Sequence, residues 1–172
     1  MRFLVLIACT LIMLGVDGCG SKRKLEERFS AGDAPTASND GGVTVRIIHF
    51  KQSDHYLVAN INVVNNSPDV VLIKNGDGNS LPAFKAVIDG NTYYASRRGN
   101  GTWNPWTGYQ PRPGLPETDL ELSPGSTIGM ELRWDCEASR RDYDWSITVT
   151  NLTSHDRHLG DVTIPWPQGG ER

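Results

Sequence analysis

Between Arg97 and Gly114 the chain reads Arg97-Arg98-Gly99-Asn100-Gly101-Thr102-Trp103-Asn104-Pro105-Trp106-Thr107-Gly108-Tyr109-Gln110-Pro111-Arg112-Pro113-Gly114. Trp103, Trp106, Tyr109, Arg97, Arg98 and Arg112 occur there without one aliphatic residue. Aromatic and Arg side chains are the usual anchors of protein or peptide binding surfaces, and Trp faces among polar neighbours also suit sugar rings. These six are the candidate binding residues. Long segments without regular structure are uncommon and often functional. A second use stays open: an Ω-loop whose aromatic residues fold back and cover one end of the domain.

Other residues with chemical potential fall short of a site. Glu117, Asp119 and Glu121 alternate with Leu120 and Leu122. Two carboxylates about 5–10 Å apart serve glycoside hydrolysis, but the solvated face of an amphipathic strand accounts for all five residues. His155 and His158 stand three apart, yet zinc wants three or four ligands and only Asp156 lies near, in a segment that reads as loop. Asn75-Gly76-Asp77-Gly78-Asn79 opens like a calcium loop, but its sixth and twelfth positions, which want Gly and Glu, hold Ser80 and Ala86. Ser21-Lys22-Arg23-Lys24 has the S-x-x-K spacing without the folded helix that motif requires. G-x-S-x-G, H-E-x-x-H, P-loop and C-x-x-C motifs are absent. The expectation is a protein without catalytic residues, metal or cofactor.

The 172 residues carry 17 Lys and Arg against 20 Asp and Glu, a net charge of -3. That balance lacks the basic excess of a phosphate binder, so no nucleic-acid partner is expected. At the start, Met1 and Arg2 precede an apolar run from Phe3 to Val16. As a helix this run spans about 21 Å, short of the roughly 30 Å hydrocarbon core, so it reads as a secretory h-region. It closes on Val16-Asp17-Gly18-Cys19, which resembles a bacterial lipoprotein signal: an aliphatic residue three before the cysteine, and a small one just before it. The middle position, usually small or apolar in such signals, holds Asp17. The resemblance implies that residues 1–18 are removed. Cys19 would then carry lipid, tethering the chain to a membrane on the extracytoplasmic side of the cell envelope. A plain signal peptide or an uncleaved anchor is the alternative and also implies export. With Cys9 removed and Cys19 lipidated, no intramolecular disulfide can form, and Cys136 reads as a buried small hydrophobe.

The elements that must position the candidate loop are strands. Residues 19–42 hold few large apolar side chains and read as a flexible tether, with Lys22, Arg23 and Lys24 beside anionic headgroups. From Val43 onward, short runs of period two recur. Val43, Val45 and Ile47 alternate, with Ile48 and Phe50 on the other face. Leu57 to Val64 forms a largely two-sided apolar strand, followed by turn chemistry at Asn65-Asn66-Ser67-Pro68-Asp69. Asp89-Gly90 between alternating runs predicts a hairpin, and Ser123-Pro124-Gly125-Ser126 a turn. Ile128, Met130, Leu132 and Trp134 alternate cleanly, as do Tyr143, Trp145, Ile147 and Val149; Val162 and Ile164 suggest a last strand.

The order Tyr56–Ser67, then Phe84–Tyr93 around Asp89-Gly90, then Leu122–Leu132 around Pro124-Gly125 resembles the immunoglobulin-like domains of bacterial lipoproteins, of the DUF4352 or telomeric-repeat-factor-like type. The resemblance covers roughly Val43 to Ile164 and leaves out the insertion from Arg97 to Glu117. It implies a fold and an extracytoplasmic setting, with no shared activity and no catalytic residues. The expected fold is an all-β, immunoglobulin-like two-sheet sandwich of seven or eight short antiparallel strands over residues 43–165, with a C-terminal tail at 166–172.

Overall fold

Leu57, Ala59, Ile61 and Val63 alternate with Val58, Asn60 and Asn62, and a period of two gives each set its own face of a strand. The computed structural model describes residues 25–53, 55–74, 82–95, 101–107, 119–136 and 144–166, with 101–107 as backbone alone. In chain order these form β1 (Leu25–Arg28), β2 (Thr36–Ser38), β3 (Val43–Ser53), β4 (Tyr56–Asn65), β5 (Val71–Ile73), β6 (Phe84–Ile88) and β7 (Asn91–Tyr94). There follow β8 (Gly101–Thr107), β9 (Leu120–Leu122), β10 (Thr127–Asp135), β11 (Trp145–Val149), β12 (Leu152–Ser154), β13 (Arg157–His158) and β14 (Val162–Trp166). The fold is the all-β antiparallel sandwich that the alternation predicts. Its longer strands are β3, β4, β6, β8, β10, β11 and β14; the others have two to four residues.

The larger sheet has the order β1-β3-β4-β10-β8, with β2 also paired to β3. Its inner face carries Val43, Val45, Ile47, Leu57, Ala59, Ile61, Val63, Ile128, Met130, Leu132 and Trp134, each at most 1% exposed. Phe50 departs from the expected alternation. Ile47 pairs with Ile61 and His49 with Asn60, so Ile48 is an extra residue, a β-bulge. Inserting one residue reverses the phase beyond it, which returns Phe50 to the core at 0% exposure.

The opposing layer consists of two ladders, β14-β11-β6-β7 and β13-β12-β5-β9. They meet at Thr150-Asn151, where Asn151 takes a positive φ of 55° and the strand bends. Across that seam Thr150 N–H donates to Ala83 O at 2.9 Å, and Lys74 N–H to Asn151 O at 3.2 Å. Phe84 pairs with Val149 and Ile73 with Leu152, so β5 ends and β6 begins at this seam. β9 joins the same ladder, Leu120 opposite Ile73, and Ala95 N–H donates to Phe84 O beyond β7. Between β7 and β9 in the chain, β8 belongs to the larger sheet.

Both predicted turns are present. Asp89 and Gly90 have φ of 48° and 81°, as a two-residue hairpin with the right twist requires. Gly125, at φ 71°, follows Pro124 in a turn closed by Ser126 N–H to Ser123 O at 3.0 Å.

Strands are present before Val43 and extend to Trp166. β1 pairs with β3 from Leu25–Gln52 to Arg28–His49, and β2 pairs with it from Thr36–Arg46 to Ser38–Thr44. Leu25–Arg28 and Thr36–Ser38, within the segment expected to be a tether, are therefore strands of the sheet. Composition counts side chains, whereas a sheet edge also offers backbone donors and acceptors that a polar segment can satisfy. Phe29 supplies the apolar anchor, packing on Phe50 and Trp166 at 6.0 Å between ring centroids. Trp166, assigned by composition to a tail, pairs with Trp145 in β14–β11 and stacks on it at 5.7 Å.

Candidate interaction surface

The aromatic insertion contributes a strand in place of an irregular loop. β8 pairs with β10 in register: Gly101 opposite Trp134, Thr102 opposite Arg133, Trp103 opposite Leu132, Asn104 opposite Glu131 and Pro105 opposite Met130. Thr107 then stands opposite Gly129, so Trp106 is the additional residue of a bulge. Among the described residues β8 pairs with β10 alone and ends the sheet. A terminal strand presents one row of backbone groups to a further strand, and proline within a sheet is confined to such positions. Of the remaining candidates, Arg97, Arg98, Tyr109, Arg112 and Cys19 lie outside the described residues.

Two cross-strand rows on the outer face of the sheet run up to β8. One passes Thr36, Arg46, Asn62, Gly129 and Thr107; the next passes Arg28, His49, Asn60, Glu131 and Asn104. Arg46, Asn60 and Asn62 are half-buried. Arg46 Nε, Asn60 Oδ1 and Asn62 Oδ1 are shielded from solvent and have no hydrogen-bond partner among the described residues. A buried polar atom left unpaired costs about 1–3 kcal/mol, and native folds leave few of them. Period-two reading marks Asn60 and Asn62 as outward residues, but only the pairing of β3 with β4 brings Arg46 beside them.

The neighbouring charges are largely neutralised locally. His49 Nε2–H donates to Glu26 Oε1 at 2.9 Å. That hydrogen bond, assisted by the charges of Lys51 and Arg28, holds the Glu26 carboxyl below its usual range. Arg133 Nε donates to Asp135 Oδ1 at 2.8 Å, and its guanidinium lies 4.6 Å from the centre of the Tyr56 ring.

The weaker sequence candidates sit apart from this surface. Leu120 and Leu122 are buried, with Asp119 and Glu121 between and beside them on the solvent side, as an amphipathic strand requires; Glu117 is outside the described residues. His155 and Asp156, with φ of 47° and 61°, form the two-residue turn between β12 and β13. His155 Nε2 lies 3.5 Å from Asp69 Oδ1, and His158 Nδ1 accepts from Gly160 N–H at 3.0 Å. Among the described residues, no three His, Cys, Asp or Glu side chains are grouped to hold a metal. Asn75–Asn79 are not described. Cys136 is 5% exposed, and its N–H donates to His55 O at 2.9 Å.

Comparison with protein-family models gives no match, and comparison with curated proteins gives none either.

Proposed function

We propose that this chain is a lipid-anchored extracytoplasmic interaction domain without catalytic activity, and that it takes an extended segment of a protein partner at β8. The observation that carries this reading is the position of the aromatic segment. Among the described residues it forms the terminal strand of the larger sheet, paired with β10 alone, and two polar rows holding buried atoms without a described partner lead to it. Strand addition uses such features: backbone hydrogen bonds supply affinity, and side chains on and beside the edge supply specificity. Anchoring follows from the lipoprotein-like signal ending at Cys19.

The test is the double variant Trp103→Ala/Trp106→Ala, compared with wild type in urea unfolding and in capture of an envelope protein by the soluble domain. The binding role predicts a nearly unchanged urea midpoint with capture abolished. If the aromatic residues serve packing, each truncation costs about 3–5 kcal/mol, and loss of capture merely tracks loss of fold. Capture inhibited by soluble glycans, with Trp103, Trp106 and Tyr109 all required, would transfer the surface to a carbohydrate ligand.

A further inference from the structure

In an antiparallel pair, residues alternate between exchanging both N–H and C=O with the partner strand and turning both away from it. The ends of the β4–β10 ladder fix that phase. Asn65 N–H donates to Ser126 O at 3.0 Å, and Cys136 N–H donates to His55 O at 2.9 Å. Counting by two from either end, Ile128, Met130, Leu132 and Trp134 bond to β4. Gly129, Glu131 and Arg133 therefore turn their backbone groups the other way, toward Thr107, Asn104 and Thr102 of β8. The residues between, Gly101, Trp103 and Pro105, stand opposite Trp134, Leu132 and Met130 and point their backbone groups away from β10. Proline suits this phase. Pro105 has no N–H, and here it forfeits no bond to β10.

The other edge of the sheet is filled by the chain itself. Along β3, Ile47 N–H donates to Pro35 O at 2.9 Å, while Ile48 O accepts from Phe29 N–H at 3.0 Å and Val43 O from Asn39 N–H at 3.0 Å. No described strand does the same for β8.

From this phase we infer that a strand added at β8 is held through Gly101 and Trp103, that its ladder closes at Pro105, and that its apolar residues come at alternate positions. The inference rests on the binding proposed at β8. Gly101 and Trp103 each turn an N–H and a C=O outward, whereas Pro105 turns out a C=O alone. Cross-strand neighbours share a face of the sheet. Partner residues opposite Gly101 and Trp103 therefore join the rows of Trp134 and Leu132, both fully buried on the core side. Partner residues opposite Thr102 and Asn104 join the rows of Arg133 and Glu131 on the outer side. Glycine at 101 leaves lateral room for a larger partner side chain in its row. The ligand that fits is an extended protein segment in which apolar and polar residues alternate.

Two measurements on the full-length chain test this. In detergent micelles, amide hydrogen exchange followed by NMR should be about tenfold faster at Gly101 and Trp103 than at Thr102 and Asn104. Comparable protection at all four, or the reverse order, would overturn the phase. In the intact envelope, a photoreactive residue at position 104 reads binding by adduct yield. Gly101→Pro removes an outward donor and should lower the yield about fivefold relative to Gly101→Ala, which keeps it. Pro105→Ala supplies a donor and should raise the yield by a similar factor over wild type. Urea midpoints check that each variant folds; should Gly101→Pro fail to, Pro105→Ala and the exchange rates still decide. Mass spectrometry of the adduct should find the crosslinked partner segment alternating in apolar and polar residues, and a segment without alternation would overturn that part. Yields that ignore all three substitutions, with an adduct still competed by soluble domain, would overturn recognition through these backbone groups and leave β8 as the contact. No adduct from position 104 in the wild-type background would overturn the reading beneath it as well.

Discussion

Asn65 closes β4 and is fully buried, an unusual place for an amide. Its Nδ2 donates to Asp69 O at 2.7 Å and to Leu122 O at 3.0 Å, while Oδ1 accepts from Ser67 N–H at 2.9 Å and Ser67 Oγ at 2.7 Å. Its backbone also binds the second turn, through Ser126 O and Gly125 N–H. One side chain thereby joins the turn after β4 to the strand before β10. Replacing Asn65 by Ala deletes four side-chain hydrogen bonds. At about 1 kcal/mol each, with an added penalty for the stranded Leu122 carbonyl, the loss should be about 3–5 kcal/mol.

Two companion variants sharpen the case. Ser67→Ala removes only the hydroxyl and should cost about 1 kcal/mol. Asn65→Asp keeps the oxygen that accepts from Ser67 N–H and Oγ but turns a second oxygen toward the Asp69 and Leu122 carbonyls. Burial raises that carboxyl's pKa above its unfolded value, so the penalty is full above the folded pKa and shrinks as pH falls through it. Urea unfolding followed by tryptophan fluorescence, at neutral and acid pH, reads all three. A loss below about 1 kcal/mol for Asn65→Ala, or an Asn65→Asp penalty that grows toward acid pH, would refute the role given to this amide.

Three further outcomes follow from the same structure. Leu132→Ala should cost about 2–5 kcal/mol while Glu131→Ala, one residue away and exposed, costs under about 0.5; comparable urea midpoints would mean the β10 register is wrong. Asn62→Val removes a buried oxygen that has no partner among the described residues and adds a β-branched side chain, so it should stabilise by about 0.5–1 kcal/mol while weakening partner capture. Radiolabelled palmitate should enter wild-type protein and not Cys19→Ser in a lipoprotein-processing host; equal labelling would remove the anchor.

Strands whose two faces differ strongly could be read directly from the sequence. Ile128 to Trp134 alternate without interruption, and the structure buries each apolar member. Turns that need particular backbone angles were equally legible, because Asp89-Gly90 and Pro124-Gly125 supply residues suited to them. Four features escaped for separate reasons. The bulge at Ile48 reverses the phase of β3, and no residue type marks a one-residue insertion. β1 and β2 are held largely by backbone bonding to β3, which leaves little trace in composition. β8 contains Gly101 and Pro105, residues that argue against a strand; a one-sided position at the sheet's end tolerates them. The row Arg46–Asn62 depends on long-range register, and a single sequence does not state which strands are neighbours.

Site-specific photocrosslinking in the intact envelope reads whether a protein partner binds at the β8 edge. A photoreactive residue is placed at position 104 or 106 in β8, and in parallel at position 155 on the far turn. Binding at the edge predicts one discrete adduct from the β8 positions, competed away by excess unlabelled soluble domain, and none from position 155. Adducts of equal yield from all three positions, or none from β8 while 155 crosslinks, would contradict it.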